Sequence, residues 1–393
     1  MNTTLKKKGL SVALGLLFVS ALYAQQVPQH IAAQLKNTKQ GEIVRLDNFL
    51  TESFTKINYD KVIWPGPQYM ISDDPEYIRI PEGIALKEKV EPGTVRLYVY
   101  NVNGVKEPKT DRKITAVIKN TGKGNMRLKM LKYSSQKPSA NYFKVGKEGL
   151  YDYFNSQGLA KERVIKPGQT VAIDEVLERN VVRYDELVHG IYEFLIDEPG
   201  EVAVLQTAPG TSGPKAYETI GSVIPTNKKN AGRGMFGVSN YKVFNEAVLE
   251  TDKGVTQLVV ADGKDDAWVK GIEGESNTVS TLAGNYGVMY NIELKWKSND
   301  GKGLALLTWN SRSDNQWCSA MAASVVVSDG VYKGGVVQLP AERLNTKGNP
   351  EAVLIQIFKP EQIGKEQILK LTYSPPGASC LPTPLVLVPI DLN

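Results

Sequence analysis

Two tryptophans in the second half of the chain bracket the residues best suited to hold a ligand. They combine aromatic rings with hydrogen-bond donors and acceptors: Trp309, Asn310, Arg312, Asp314, Asn315, Gln316 and Trp317. Aromatic faces stack on the C–H groups of sugar rings, and a few placed polar groups orient a ligand in a concave site. The segment therefore predicts a carbohydrate-binding loop. The alternative interpretation is a hairpin loop whose tryptophans cap the hydrophobic core.

A second cluster has the residue types of a metal site. Asp262, Asp265 and Asp266 lie around a single turn. Carboxylate oxygens in a loop are ligands that Ca²⁺ prefers. The spacing lacks the distal glutamate of an EF-hand loop, so the alternative is a solvated hairpin turn. We predict no other cofactor.

Few residues are arranged for catalysis. The two histidines are His30, in a polar stretch, and His189, in an apolar run that indicates a structural role. A Gly-x-Ser-x-Gly elbow is absent from the sequence, and a Cys318 nucleophile would need a neighbouring base. Glycoside hydrolysis needs only two facing carboxylates, and the chain has 42 acidic residues. We therefore predict a non-enzymatic protein without catalytic residues, and a secreted hydrolase is the less favoured alternative.

The first 26 residues predict export. Lys6, Lys7 and Lys8 precede an apolar run over 9–22, and residues 23–26 are more polar. This order is typical of a secretory signal peptide over 1–24, cleaved after Ala24. The run is shorter than the ~20 residues that a bilayer span needs. We expect a mature chain without a transmembrane segment, located in the periplasm, at the cell surface or outside the cell.

The charge of the mature chain argues against nucleic acid as a partner. The formal net charge is +5, and removal of the three lysines of the signal peptide leaves +2. Domains that bind nucleic acid usually carry a basic patch or stripe. The near-neutral chain therefore favours protein partners, and polysaccharide is the alternative partner.

Cys318 and Cys380 are the only cysteines in the sequence. In an exported chain, two cysteines more often form a disulfide than stay free. We therefore predict that they pair, and the alternative is two buried, reduced thiols.

Short apolar runs separated by turn residues predict an all-β fold. Residues 95–100, 113–119 and 126–133 alternate apolar and polar side chains, which indicates three successive strands of an antiparallel sheet with one wet side. Residues 191–196 and 202–206 flank a Pro-Gly turn and predict a hairpin. Residues 60–65 predict a first strand or edge segment. Two short helices are predicted, at 31–36 and 146–156, and 170–176 is predicted as a strand.

The chain divides at a polar, basic and glycine-rich stretch over 225–237, as expected of a linker. A lead-in segment over 25–60 precedes the first unit. We predict two β-sandwich domains, an immunoglobulin-like one over 61–224 and a jelly-roll-like one over 238–393.

Two segments of the second half carry a family resemblance. Gly284-Asn285-Tyr286-Gly287-Val288 enters the alternating strand Tyr290–Leu294, and a Pro-Pro-Gly turn precedes Cys380. These few dozen residues resemble segments of uncharacterised secreted β-rich proteins from cyanobacteria and Firmicutes. The resemblance implies export and a β fold, and no activity.

These observations together predict an exported, non-enzymatic structural or binding protein of the cell envelope or extracellular matrix. Carbohydrate binding through the Trp309–Trp317 loop is the alternative function. The sequence leaves the oligomeric state open.

Overall fold

The computed structural model describes residues 26–51, 53–227, 232–311, 323–340, 350–377, 379 and 381–392. The predicted signal peptide, Cys318 and Cys380 lie outside the described residues. The structure is mostly β, with 45% strand and 11% helix, which confirms the all-β, sandwich-type prediction. The division into immunoglobulin-like and jelly-roll-like domains stays a prediction.

Four helices and one 3₁₀ turn occur in the described part of the chain. The helices are α1 (Gln29–Asn37), α2 (Tyr142–Asn155), α3 (Glu175–Glu178) and α4 (Gly213–Thr219), and the 3₁₀ turn is Thr251–Lys253. The side chain of Asn141 accepts a hydrogen bond from the Lys144 amide and caps the start of α2. No helix among the described residues is long and apolar enough to span a bilayer.

The strands of the described residues form four sheets. In chain order they are β1 (Ile43–Arg45), β2 (Thr55–Lys56), β3 (Asp60–Trp64), β4 (Gln68–Ser72), β5 (Tyr77–Ile78), β6 (Gly83–Val90), β7 (Gly93–Asn103), β8 (Lys113–Asn120), β9 (Met126–Ser135), β10 (Arg163–Ile165), β11 (Thr170–Ala172), β12 (Leu187–Ile196), β13 (Gly200–Thr207), β14 (Arg233–Phe236), β15 (Asn240–Phe244), β16 (Leu249–Glu250), β17 (Thr256–Val260), β18 (Lys270–Glu273), β19 (Thr278–Thr281), β20 (Met289–Lys297), β21 (Gly303–Trp309), β22 (Ser324–Val327), β23 (Gly335–Gln338), β24 (Glu351–Phe358), β25 (Gln367–Tyr373) and β26 (Thr383–Ile390).

The first pair of sheets encloses one hydrophobic core. A nine-stranded sheet has the order β10-β9-β12-β7-β4-β14-β18-β19, with β5 beside β7, and a four-stranded sheet has the order β11-β8-β13-β6. Leu97 of β7 and Phe194 of β12 belong to the same buried cluster as Ile118 of β8 and Val204 of β13. The two sheets therefore pack face to face.

The second pair of sheets encloses another core. A seven-stranded sheet has the order β23-β22-β25-β20-β15-β3, with β16 beside β20, and a six-stranded sheet has the order β1-β24-β21-β26-β17-β2. Ile292 of β20 and Leu371 of β25 share a buried cluster with Leu306 of β21 and Leu387 of β26. The cluster also includes Tyr98 of the nine-stranded sheet, so that sheet is buried on both faces.

Two helices, α1 and α4, cover outer faces of these layers. Ile31 and Leu35 of α1 pack in a cluster with Leu307 of β21 and Val388 of β26. Ala216 and other residues of α4 pack against the four-stranded sheet in the same way. The helix predicted at 31–36 is thus confirmed as part of α1, and the one predicted at 146–156 as part of α2.

Three sequence predictions are wrong about which strands are neighbours or where a strand ends. The runs 95–100, 113–119 and 126–133 do not form one sheet, because β8 lies in the four-stranded sheet whereas β7 and β9 lie in the nine-stranded one. β12 and β13 are likewise in different sheets and do not form the predicted hairpin. The strand predicted at 170–176 ends at Ala172, and the side chain of Asp174 then caps α3 by accepting the Leu177 amide hydrogen at 2.8 Å.

Part of the predicted linker over 225–237 is a strand. Arg233–Phe236 forms β14, which pairs with β4 on one side and with β18 on the other. Residues 228–231 lie outside the described residues. The polar, glycine-rich composition of this stretch therefore does not prevent residues 233–236 from joining the nine-stranded sheet.

Candidate functional site

Trp309, the first residue of the predicted carbohydrate loop, is a core residue. It ends β21, is only 4% exposed and belongs to the cluster under α1. Asn310 and Ser311 are buried as well. Since a sugar stacks on an accessible ring face, Trp309 matches the alternative interpretation of a core tryptophan. Arg312, Asp314, Asn315, Gln316 and Trp317 lie outside the described residues, and their part in a binding loop stays a prediction.

The predicted metal turn is neutralised by lysines. Asp266 is fully buried, and its carboxylate pairs with Lys61 of β3 and accepts a hydrogen bond from Tyr290 at 2.7 Å. Asp265 pairs with Lys56 at 2.5 Å, and Asp262 accepts amide hydrogens from within the turn. The three carboxylates are thus used for cations and amides of the protein itself.

No group of three or more histidine, cysteine or acidic residues that could hold a metal occurs in the described ranges. The Asp266 network is instead a polar core contact that fixes the turn against β3. Burial and the adjacent Asp266 charge raise the pKa of Tyr290 far above its usual value, so its hydroxyl stays protonated and donates to Asp266. This chemistry stabilises the turn.

His189 lies in the interior of the protein, between β7, β12 and α2. Its Nε2 is 3.0 Å from the hydroxyl of Tyr98, and its Nδ1 has no hydrogen-bond partner among the described residues. Burial lowers the pKa of His189 to about 3, so the ring is neutral at physiological pH. Gly149 of α2 packs directly on the ring, where a side chain would overlap it. The apolar setting predicted for this histidine is confirmed by its burial, and its structural role stays a prediction.

The exposed feature that stands out is β3, which ends the seven-stranded sheet. Val62 is 42% exposed, Ile63 66% and Trp64 48%, although all three are large apolar residues in one strand. In the described residues, β3 pairs only with β15, so its other backbone edge is open. Proteins normally protect such an edge, because unpaired backbone groups beside apolar side chains recruit another strand.

The two faces of β3 differ in their neighbours. Val62 and Trp64 lie on the outer face of the sheet, where the ammonium group of Lys242 lies 5.3 Å from the Trp64 ring. Ile63 lies on the core-facing side, opposite Tyr241. Lys61 shares that side and is turned inward to Asp266, above the Tyr241 ring. The lysine that could have protected the edge is therefore used inside the protein.

The outer face of the seven-stranded sheet continues from Trp64 as a polar surface. Glu293 of β20 pairs with Lys242 at 3.0 Å and with Lys370 of β25 at 3.5 Å. A groove of ≈ 350 Å³ lies between these charged residues and β22, and Asn291 and Thr372 are among its lining residues. Hydroxyl, amide and charged groups on one flat face can bind a polar polymer.

A second, larger cleft of ≈ 570 Å³ lies at the end of the same sandwich. Its base is formed by Trp296 and Phe358, both buried, and three carboxylates, Asp329, Glu361 and Glu366, are among its lining groups. Glu361 pairs with Lys365 at 2.5 Å, and Asp329 accepts the amide hydrogen of Gly334 at 2.6 Å. Two of the three carboxylates thus have partners within the protein.

Comparison with known proteins does not assign the chain to a family. No protein-family model and no curated protein matches the chain. Among solved structures, the 7S globulin of Momordica charantia is 8% identical, with 77% of this chain and 70% of that chain covered and a TM-score of 0.11. The CupB6 tip adhesin of Pseudomonas aeruginosa is also 8% identical, with 86% and 89% covered and a TM-score of 0.11. Scores of this size carry no argument about function.

Proposed function

We propose that this chain is an exported, non-enzymatic structural or binding protein of the cell envelope or extracellular matrix, which works through protein contacts. The observation that carries the proposal is the open edge of β3 with Val62, Ile63 and Trp64 exposed. A strand that presents unpaired backbone and apolar side chains is suited to accept a further strand from a partner.

The charged residues of the described structure support the same proposal. Two acidic groups with little exposure form internal ion pairs, Glu193 with Arg96 and Glu273 with Arg233. The buried His189 is neutral and away from solvent. These groups stabilise the fold, whereas the edge of β3 and the outer face of its sheet are open to solvent.

The test uses the purified mature chain and an envelope fraction of its host. We expect the chain to co-sediment with the envelope fraction, and Ile63→Lys to reduce the bound fraction at least tenfold because a charge on the strand opposes pairing and burial. The matched control is Ile368→Lys, which places the same charge on the same sheet at a residue that is 50% exposed but within β25. Equal binding by native chain and both variants would contradict the proposal.

Carbohydrate binding is the second candidate function, and the outer face of the seven-stranded sheet favours it. Trp64 is 48% exposed there, and the face continues into the groove beside Asn291 and Thr372. Titration of the chain with cell-wall or matrix polysaccharide should shift the tryptophan fluorescence, and Trp64→Leu should abolish the shift. A fluorescence shift that persists in Trp64→Leu would instead indicate that a different tryptophan, such as Trp317 of the predicted loop, contacts the polysaccharide.

A further inference from the structure

We infer that the partner of β3 is β3 of a second copy, paired antiparallel with Ile63 at the centre of the contact. The two seven-stranded sheets would then continue into each other as one sheet. This inference rests on the proposed function, because it names the partner that the open edge takes.

The edge is competent to form such a pair. It presents five residues, Asp60–Trp64, in extended conformation, and Pro65 follows. One device that normally blocks an edge, an outward lysine within the strand, is missing because Lys61 turns toward Asp266 and is only 20% exposed. An incoming strand therefore meets apolar side chains and free backbone groups.

The pairing register follows from symmetry and charge. In an antiparallel pair, directly opposed residues lie on the same face of the sheet. When a twofold axis relates two identical strands, the residue at the axis therefore lies opposite its own copy in the other strand. Centring on Asp60 or Lys61 would oppose like charges, which is destabilising. Centring on Val62 would oppose Asp60 to Trp64, and centring on Trp64 would oppose Val62 to Gly66. Centring on Ile63 opposes Ile63 to itself and Val62 to Trp64, so every exposed apolar residue meets another.

This register also satisfies both faces of the sheet. The Val62–Trp64 pairs fall on the outer face, beside Lys242, whose ammonium group already lies over the indole ring. The Ile63 pair falls on the core-facing side, next to Tyr241. Lys61 would oppose Pro65, and its charge is already balanced by Asp266. Asp60 would oppose Gly66, so no like charges oppose each other in the contact.

The contact is small, so the dimer should depend on concentration. Stable interfaces usually involve about 20–30 residues on each side, and this strand contributes far fewer. We expect the native chain to be mainly monomeric at micromolar concentration and to form dimers as the concentration rises toward the millimolar range in analytical ultracentrifugation. Ile63→Lys should remain monomeric over the whole range, and the matched Ile368→Lys should dimerise like the native chain.

Cysteine cross-linking tests the register. The variant Ile63→Cys should form a disulfide with itself under mild oxidation, because directly opposed residues have Cα atoms about 4.5–5.5 Å apart. Val62→Cys should cross-link at least tenfold less, because two copies of residue 62 would be diagonal neighbours at about 7–8 Å. The native chain, with Cys318 and Cys380, gives the background. Circular dichroism and thermal melting show whether each variant is folded.

The outcomes separate this inference from the proposed function. A native chain that stays monomeric at millimolar concentration, or cross-linking of Val62→Cys in place of Ile63→Cys, would overturn the inference. If the native chain stays monomeric while Ile63→Lys alone loses envelope binding, the edge serves a different protein and the proposed function stands. If dimers form as expected but envelope binding is unchanged in Ile63→Lys, the self-pairing stands and the proposed function fails.

Discussion

Arg96, which is buried, faces the partly buried Glu193 across β7 and β12, and their ion pair ties the two sandwiches together. The guanidinium group binds the Glu193 carboxylate at 2.9 and 3.0 Å. It also donates to the carbonyls of Ser239 and Gly287, at 3.0 and 3.4 Å, on the segments that lead into β15 and β20. Tyr153 of α2 donates to the same carboxylate at 2.7 Å. One side chain thus connects the nine-stranded sheet to the seven-stranded sheet.

Glu193→Ala should therefore destabilise the protein strongly. Removing one partner of a buried pair leaves a desolvated charge and typically costs about 3–5 kcal/mol. The control is Glu361→Ala, which breaks an exposed pair with Lys365 and should cost less than about 1 kcal/mol. Urea unfolding followed by circular dichroism measures both, and equal losses would contradict the connecting role of Arg96.

Glu88 should make stability decrease as pH rises toward neutrality. Burial is the main cause that raises its pKa to about 7, and the Glu273 charge adds to it. The folded state therefore holds its proton more tightly than the unfolded chain. The contribution of the protonated Glu88 to the free energy of unfolding is complete below about pH 4.5. It is lost as pH rises through 7, by roughly 1 kcal/mol per pH unit. Glu88→Gln keeps an acceptor for the Gly274 amide and should be more stable than native at pH 8 but not at pH 4.

His189 should act in the opposite direction over an overlapping range. Its pKa is lowered to about 3 by burial, so the unfolded chain takes up a proton first as pH falls below 6.5. The contribution of the neutral His189 to the free energy of unfolding is therefore complete above pH 6.5. It is lost on acidification toward pH 3, again by roughly 1 kcal/mol per pH unit.

The two groups offset each other between about pH 4.5 and 6.5. Stability of Glu88→Gln should decrease on acidification through this range, whereas that of His189→Gln should increase, and the native chain should be flatter than either. Chemical denaturation at half-unit pH steps measures the three profiles. Parallel profiles would show that these two residues do not set the pH dependence.

Gly149 should not tolerate a side chain. A Cβ atom there would overlap the His189 ring, which is held in place by Tyr98, so Gly149→Ala should cost about 1–3 kcal/mol despite the higher helix propensity of alanine. The matched control is Gly210, where an added Cβ atom would meet no other atom within 4 Å. Gly210→Ala should be neutral or slightly stabilising by thermal melting.

Local patterns correctly indicate several elements because they depend on neighbouring residues only. The strand predicted over 60–65 is β3, and the helices expected at 31–36 and 146–156 lie within α1 and α2. The apolar run around His189 correctly indicates a buried histidine. In contrast, the sequence does not predict α4, because a seven-residue helix that begins Gly213-Pro214 resembles a turn in sequence.

Pairing between distant strands could not be obtained from the same patterns. β12 and β13 are joined by a Pro-Gly turn, which is also how a hairpin would look, yet they enter different sheets. Alternation in 95–100 predicts one wet face, but both faces of β7 are buried because tyrosines such as Tyr98 pack against the second sandwich. Burial of a face depends on what the rest of the chain places against it.

Adjacent residues are enough to indicate a β-rich chain with short, turn-separated strands, because backbone preference and period-two alternation are local properties. The three-dimensional fold is needed to place Trp309 in the core and Val62, Ile63 and Trp64 at an open edge. The physical reason is that exposure of an apolar side chain depends on where its strand falls in the sheet order, and that order is set by long-range packing.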